Sequence, residues 1–419
     1  MNKKILIGFL VLLSILSISS QAQESSHSPY SRFGVGDLNN QYSSYFNALG
    51  GGVSAVYSSK HINNSNPATY TAFKPNSFLF STGGSFNALR ISNNNLSHTD
   101  NITSLSHIIL GCRLNSKTFA SAGLVPYSSI GYNLSNYDYA NNANLIYTGN
   151  GGLSKIYFGG AYLLAKNLSV GANASYIFGG LNRSKRLEFN DEAFFNSRSN
   201  SLTNITGVKY DIGTLYTAEI NDQDNFTLAF TTSNSADLQA SRNTLSETFA
   251  YNGILEVVKD TSLNYYEKGT AVLPKHMQLG FTYKKDKKWL FVLDYLSQDW
   301  SDYRLLGESD SLKNSVRISS GLEYTPEFNS ISNFWKRCKY RFGVSLNKTP
   351  LDINNTQIED KNISIGIGIP VKKNNTIYDL SVVIGQRGTL LNNLIQEEYI
   401  QLSLSVSFDG IWFVERKYD

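Results

Sequence analysis

The 419-residue sequence has no long apolar run outside its N-terminus. Beyond Ala22 no stretch approaches the ~18 consecutive apolar residues of a membrane helix, and the mean hydropathy is -0.24. A bundle of membrane helices is therefore excluded. If the exported chain enters a membrane, it must do so with strands, because only helices and closed barrels satisfy every backbone group in lipid.

Motifs for catalysis or metal binding are also missing. The five histidines show no metal-ligand spacing such as HExxH, and no serine stands in a GxSxG turn. We therefore expect no catalytic residue, no metal and no cofactor. A barrel enzyme that uses His98 and His107 near an external loop is the alternative that this leaves.

Cysteine is scarce, and neither positive nor negative charge is concentrated in one part of the chain. The net charge of +4 is spread along the chain rather than gathered in a basic stripe, so nucleic-acid binding is not indicated. Cys112 and Cys338 lie far apart, and each falls on an apolar register. They are predicted to be free thiols that are buried or face lipid, with a disulfide as the alternative.

The N-terminus has the three parts of a secretory signal. Lys3 and Lys4 precede the apolar run ILIGFLVLLSILSI, which ends in SSQAQ. Ser20 and Ala22 supply small residues for cleavage after Ala22, within a residue or two. No cysteine follows, so a lipoprotein is not expected. The predicted signal peptide is 1–22.

Aromatic residues are abundant: 26 Tyr and 23 Phe stand against 4 Trp and 8 Pro. The stretch YIQLSLSVSF, residues 399–408, alternates large apolar residues with small polar ones, which is typical of a strand between two environments. A soluble sandwich would bury the apolar face, whereas an outer-membrane barrel would turn it to lipid. The exported chain could thus be two or three soluble domains or one large barrel.

The lengths of the connections favour the barrel. Tight turns at 115–117, 165–167, 221–224 and 285–287 alternate with longer polar stretches near 92–101, 134–150, 185–203, 241–271 and 304–312. Short periplasmic turns and long external loops are typical of outer-membrane barrels. Fourteen strands are predicted, with starts near 76, 102, 117, 151, 167, 204, 224, 272, 288, 313, 336, 360, 376 and 397. An additional strand within 245–258 would change the count by up to two.

This pattern divides the chain into a barrel over 76–408 and a periplasmic tail over 409–419, with both termini periplasmic. The segment before the first strand, 23–75, is predicted to form a plug. It lacks sustained alternation and is rich in Gly and Asn, yet Phe33, Phe46 and Val53 are among its apolar residues. Such a segment can fold only by burying these residues against something larger, and the lumen is the natural place.

Three stretches of the chain resemble the FadL/TodX family of outer-membrane transporters for hydrophobic compounds. They are LPKHMQLGFTYKKDKKWLFVLDYLSQDWSDY (273–303), GNGGLSKIYFGGAYLLAKNLSVGANASYIFGGL (149–181) and NNSNPATY, with Asn66, Pro67 and Ala68 at the element that ends the family's plug. The resemblance implies a fourteen-stranded barrel with a luminal plug. The opening SPYSRFGVGDL and the closing WFVERKYD resemble a branch common in Bacteroidetes.

A ligand path is predicted on the strand over 288–303. Asp294 is expected to face the lumen, because a carboxylate on lipid would cost a few kcal/mol near the midplane. The same register places four apolar residues inside: Leu290, Val292, Leu296 and Trp300. An apolar patch beside one acid suits an apolar ligand, and the alternative is that these residues only pack on the plug.

Two further features concern opening. Pro126 falls within the third strand, where it removes a ladder donor; the family resemblance implies that an inward kink in this strand opens the wall to the outer leaflet. A structural bulge without gating is the alternative. In the plug, Gly50, Gly51 and Gly52 are candidates for a movable segment, or they only permit tight packing.

The sequence thus predicts an all-β outer-membrane barrel of a Gram-negative cell that passes small hydrophobic compounds, fatty-acid-like or aromatic, by passive diffusion. Its expected partners are such a compound, outer-membrane lipid and lipopolysaccharide. The alternative is a non-transporting subunit of a secretion or assembly complex, which would dock a protein partner through its loops or the tail 409–419.

Overall fold

The computed structural model describes residues 27–39, 43–191, 193–221, 223–286, 288–330, 332–371 and 375–412. The predicted signal peptide and most of the predicted tail lie outside these residues. Among the described residues, no helix has both the length and the apolar character needed to cross a bilayer.

The chain forms one closed antiparallel barrel. Its strands, numbered in chain order, are β1 Ser77–Ser92, β2 Ser97–Arg113, β3 Thr118–Asp138, β4 Ala143–Ala165, β5 Leu168–Phe189, β6 Asn196–Glu219, β7 Asn225–Ser233 and Ala236–Asn252, β8 Leu255–Leu273 and His276–Lys285, β9 Trp289–Gln298, β10 Ser315–Tyr324, β11 Lys339–Ile353, β12 Thr356–Val371, β13 Thr376–Gly388 and β14 Gln396–Ile411. The barrel closes where β14 pairs with β1, from Gln396 opposite Ser92 to Ile411 opposite Ser77. We call the end that holds Ser77 and Ile411 the turn end, and the opposite end the loop end.

Two strands, β7 and β8, are each interrupted by two residues, 234–235 and 274–275. Both parts of β7 pair with β6. The first part of β8 pairs with the second part of β7, and the second part of β8 pairs with the first part of β7. Pro274 stands in the interruption of β8, where a residue without a backbone N–H cannot continue the ladder. Each pair of segments is thus one strand, and the prediction of fourteen strands in a closed barrel is confirmed.

Side chains alternate between the two faces of the wall. On β14, Leu402 and Leu404 point outward and are exposed, whereas Ser403 and Ser405 are buried inside. Every strand has at least one exposed, outward-facing large apolar side chain: Phe86, Leu110, Leu124, Phe158, Tyr176, Ile212, Leu228, Phe281, Phe291, Ile318, Phe342, Ile365, Leu380 and Leu404. The outer surface therefore has an apolar band around the whole barrel, and the small polar residues face the lumen.

The predicted loops over 134–150, 185–203 and 241–271 are wrong in large part, because strands β3 to β8 continue through them. The additional strand within 245–258 exists, but it extends β7 and β8 instead of adding to the count. The prediction of loops in these three ranges fails for a physical reason. Beyond the apolar band both faces of the sheet meet water, so the residues there show no alternation of apolar and polar side chains.

Before β1, residues 29–39 and 43–73 lie inside the barrel and are called the plug segment below, a name for their position. It contains two 3-10 helices, Pro29–Arg32 and Pro67–Ala72, a two-residue strand, Asp37–Leu38, and one short α-helix, Ser44–Asn47. Hydrogen bonds tie it to inward side chains on well-separated strands, among them Ser381, Asn173 and Asp294. The exact limits 23–75 for a plug stay a prediction.

The described ends of the chain lie at opposite ends of the barrel. His27 Nδ1 is 2.6 Å from Asp100 Oδ2, close to the loop end, whereas β14 finishes at Ile411 at the turn end. The termini themselves, in 1–26 and 413–419, lie outside the described residues, so the periplasmic location of both termini stays a prediction. The barrel also extends three residues beyond its predicted limit at 408, because 409–411 pair with 77–79.

Candidate ligand cavity and lateral gap

The barrel wall has a gap between β2 and β3. These strands pair only from Arg113 opposite Phe119 to Ile108 opposite Leu124. Toward the loop end, residues 97–107 of β2 have β1 as their only partner among the barrel strands, and residues 125–138 of β3 have only β4. The half of the wall nearer the loop end is therefore open between β2 and β3.

Pro126 lies at the base of this gap. The register of β3 against β4 shifts between Pro126 and Ser128, which marks a bulge. Ser128, Ser129 and Ile130 are all buried, so the strand has turned into the lumen. There the plug strand Asp37–Leu38 pairs with Ser128 and Ser129. The plug segment thus pairs with β3 along the edge where β3 no longer pairs with β2.

The lumen holds three adjoining cavities. The first is a cavity of ≈ 150 Å³ whose lining mixes apolar side chains with a larger number of polar ones. The apolar ones include Tyr30, Phe33, Val35, Trp300, Leu312 and Leu351, and the polar ones include Asp360, Asn362, Arg387 and Tyr399. A cavity of this size can hold a molecule as large as benzene. The third cavity shares Asp37, Leu38 and Arg387 with the first and reaches Leu105, Ser106 and Pro126 at the gap. The first and third cavities therefore adjoin, and the third lies beside the wall opening.

The second cavity is cationic. Its lining includes Lys155, Lys209, His276 and Arg317 but only one acidic side chain, Asp211. Lys155 and Lys209 are both buried, and the ammonium of Lys209 donates to the carbonyl oxygen of Pro274 at 2.6 Å. This excess of positive charge over negative charge favours polar or negatively charged groups at the site.

A charge cluster holds the start of the plug segment. Arg387 donates to both carboxylate oxygens of Asp37, at 2.9 and 3.1 Å, and to Glu397 at 2.7 Å. Ser28 also donates to Glu397, at 2.5 Å. Burial, with the Glu397 carboxylate nearby, raises the pKa of Tyr30 to about 12, so this phenol stays neutral. Asp37 and Arg387 line both the first and the third cavity.

A second cluster joins the plug segment to the wall nearer the turn end. His61 Nε2 lies 2.9 Å from Asp379, whose other oxygen accepts from Arg341 at 2.7 Å. Tyr45 stacks on His61 with ring centroids 3.9 Å apart, and the Arg341 guanidinium lies 4.3 Å from the Tyr45 ring centroid. Burial lowers the pKa of His61, against the attraction of Asp379. Among the described residues no group of three or more His, Cys, Asp or Glu side chains could hold a metal.

The five predicted ligand-path residues divide into two sets. Leu290 and Val292 pack on the plug segment, in a cluster with Tyr45, Phe46, Leu49, Val53 and Val56, and Asp294 is hydrogen-bonded to Ser54. These three face inward as predicted but line none of the three cavities described above. Leu296 lines the second cavity, and Trp300 lines the first.

The glycines of the plug segment are packed against the wall. Gly50 and Gly51 have φ of +71° and +76°, and a Cβ on Gly50 would collide with the backbone of Val344. A Cβ on Gly52 would crowd Val292. This close packing corresponds to the alternative that the sequence leaves open for these three glycines.

The Asn-Pro-Ala element begins the second 3-10 helix. Asn66 accepts from the N–H of Ala68 at 3.0 Å and donates to the carbonyl of Ser54 at 2.7 Å. Pro67 rests against Gly171 of β5. These contacts join two parts of the plug segment to each other and to the wall.

The sequence analysis did not predict which residues of the barrel strands contact the plug segment. Eight inward glycines touch the plug segment, each at a point where a Cβ would meet plug atoms: Gly111, Gly159, Gly171, Gly213, Gly280, Gly321, Gly343 and Gly366. It also missed Arg387 and Glu397. Their positions opposite each other on β13 and β14 could have indicated an ion pair, but nothing local indicates Asp37.

The model of the BamG family matches residues 1–419, the whole chain. Similar solved structures include the Pseudomonas putida toluene transporter TodX, with TM-score 0.62 and 13% identity over 89% of this chain and 99% of that one. They also include the Ralstonia pickettii toluene transporter TbuX, with TM-score 0.57 and 13% identity over 88% and 98%. A Pseudomonas aeruginosa FadL homologue has TM-score 0.57 and 10% identity over 87% and 96%. No curated protein matches the sequence significantly. At these identities the solved structures show the fold alone.

Proposed function

From the architecture of its barrel we propose that this chain, which belongs to the BamG family, is an outer-membrane barrel through which small hydrophobic compounds diffuse passively. The observation that carries the proposal is the wall gap above Ile108 and Leu124, which adjoins a cavity that continues into the lumen. The apolar band on every strand supports a place in a bilayer. Its boundary lipids would be outer-membrane lipid and lipopolysaccharide.

The proposed route starts at the loop end. A compound enters the first cavity beside Trp300, passes Leu38 to the third cavity, and leaves between Ser106 and Pro126 into the outer leaflet. The plug segment keeps its position throughout. No energy source is required if the compound moves down its gradient.

The lining of the cavities defines the kind of compound. The first cavity brings apolar side chains such as Trp300 and Leu351 together with a larger number of polar ones, among them Asn362 and Tyr399. Polar groups in a ligand site fix the orientation of the ligand, and apolar side chains contact its apolar part. We therefore propose a small molecule with an apolar body, aromatic or fatty-acid-like. The similar structures include a toluene transporter and a monoaromatic hydrocarbon channel, which supports a non-enzymatic role.

Blocking the gap tests this function. Ser106→Trp places an indole where the third cavity meets the wall opening, whereas Ile108→Trp places one on the lipid-facing surface of the same strand. Uptake of toluene and of octanoate is measured in cells whose own copy of the gene is deleted. We expect at least a tenfold loss of uptake with Ser106→Trp and none with Ile108→Trp. Equal uptake by both variants and by the deletion strain would contradict transport.

A non-transporting role in an outer-membrane complex is the second candidate. It is favoured by the many contacts between the plug segment and the wall and by the sheet that β4 to β8 extend beyond the apolar band. Purification from outer membranes in mild detergent tests it: a stoichiometric protein partner with no bound small molecule would support this role. An origin in Bacteroidetes stays a prediction.

A further inference from the structure

The loop-end half of β8 has a free edge. From Leu255 to Leu273 this strand pairs with β7 on one side. On the other side only Ala271 and Val272 are paired, with residues 304–305. Within the described chain nothing pairs with that side between 255 and 269. At ~3.3 Å per residue this is an open edge of roughly 50 Å.

Both faces of this half-strand are exposed as well. Every residue from 255 to 266 is exposed, including large apolar ones such as Leu255, Leu263 and Tyr265. A sheet in a monomeric protein ordinarily covers one face with its own core, and natural edges are kept short or are blocked. A long edge with apolar residues on both faces is the arrangement that accepts an added strand.

The edge is held in place by ionic contacts in the neighbouring strands. Glu256 of β8 accepts from Arg186 at 2.6 Å and from Arg198 at 2.5 Å. Both guanidinium groups also contact the ring of Phe249 of β7, at 4.9 and 5.4 Å from its centroid. A strand fixed in this way loses little conformational freedom when it binds, which favours association.

We infer that the free edge of β8, residues 255–269, binds an extended segment of another protein as an added β-strand outside the membrane. The unpaired backbone groups define the chemistry of the occupant, because a peptide in extended conformation supplies matching donors and acceptors at the same spacing. The side chains along the edge carry both signs, with Lys259 and Lys268 beside Asp260 and Glu267. A polyanionic or polycationic partner is therefore not favoured.

A second copy of this chain does not fit the edge. Two copies in one membrane have the same orientation along the membrane normal. Their β8 strands therefore both run from the loop end toward the turn end. Strands tilted by about 40° and related by a two-fold axis along the normal cross at about 80°. No ladder forms at that angle. The inference does not depend on transport, since the edge lies beyond the cavities.

The structure shows which backbone groups face the free side. The carbonyl of Thr270 accepts from the N–H of Leu306 at 2.8 Å, away from β7. Alternate residues of an antiparallel strand direct their N–H and C=O to the same side, and the register has no shift between 263 and 273. The N–H groups of Lys268 and Tyr266 therefore face the free edge.

Two double variants separate backbone pairing from side-chain contact. Tyr266→Pro with Lys268→Pro removes two free-edge donors and leaves the bonds to β7 intact. Tyr266→Ala with Lys268→Ala removes the same side chains and keeps both donors. Both are expected to run as folded barrels on unheated gels. If the double proline variant does not, Lys268→Pro alone replaces it, with Lys268→Ala as its control.

The readout is photocrosslinking in intact cells, with benzoylphenylalanine in place of Asn264 in the full chain. We expect an adduct to a peptide of a second protein, retained in the alanine variant and reduced at least tenfold in the proline variant, while uptake of toluene is the same in both. The inference is overturned by equal adduct yields in the two variants, by an adduct only to lipopolysaccharide or to a second copy, or by no adduct.

Discussion

The carboxylate of Asp294 on the wall binds Ser54 of the plug segment through both the backbone N–H, at 2.9 Å, and the hydroxyl, at 2.5 Å. Its other oxygen accepts from Gln278 at 2.7 Å. All three hydrogen bonds involve groups shielded from water, where a lost partner costs more than at the surface. Asp294 therefore fixes one turn of the plug segment to β9.

Asp294→Ala should loosen that turn. The substitution leaves the N–H and hydroxyl of Ser54 without their acceptor, at a cost of about 1–3 kcal/mol. We expect amide exchange of residues 53–56 to accelerate by roughly ten- to a hundredfold. Glu219→Ala, which removes an exposed pair with Lys166, serves as the control and should leave exchange unchanged. Equal exchange in the two variants would show that the turn is held by other contacts.

Acidification should release the His61 region of the plug segment. Burial lowers the pKa of His61 in the docked state, whereas an undocked histidine has a pKa of about 6.5. The undocked state therefore binds more protons, and docking weakens as the pH falls below about 6.5 but not above it. Amide exchange of residues 58–63, corrected for intrinsic rates, should rise by up to about tenfold per pH unit. His61→Gln should abolish this dependence; its persistence would assign the effect to other groups.

Arg387→Met should detach the start of the plug segment. Removing the guanidinium leaves Asp37 and Glu397 as uncompensated carboxylates in the lumen, which costs about 3–5 kcal/mol for a buried pair. Limited proteolysis of residues 28–38 should become faster by at least tenfold. The triple variant Arg387→Met, Asp37→Asn, Glu397→Gln should recover most of the protection. Failure to recover would mean that Arg387 acts through packing on Tyr30.

Strand number and closure were predictable because the required information is local. In the stretch 399–408 the period of two already separates a lipid-facing row from a luminal row, and the structure has Leu402 outside and Ser403 inside. The inward register of Asp294 followed from the cost of a carboxylate in lipid, and the alternation then placed Leu290 and Val292 on the same face. Both predictions use only information within one strand.

The contacts between distant segments could not be predicted in this way. Asp37 and Arg387 are 350 positions apart, and no periodicity relates them. Leu290 and Val292 were recognisable as inward, yet their burial depends on where residues 45–56 fold. The extension of β8 was missed because a strand with water on both faces shows no apolar alternation. Long-range packing and solvent on both sides thus limit what the pattern reveals.

Gly343→Ala should push the plug segment from the wall. A Cβ at this position would collide with the backbone of Leu49 and Gly50, neither of which is the movable end of a side chain, and overpacking of this kind costs about 1–3 kcal/mol. We expect faster amide exchange over residues 47–52 and higher ion conductance in planar bilayers. Gly160→Ala is the matched control, since its nearest atom would be the Phe119 carbonyl oxygen at 3.7 Å. If both variants conduct alike, the plug segment tolerates the displacement, and close packing at Gly343 is not what seals the lumen.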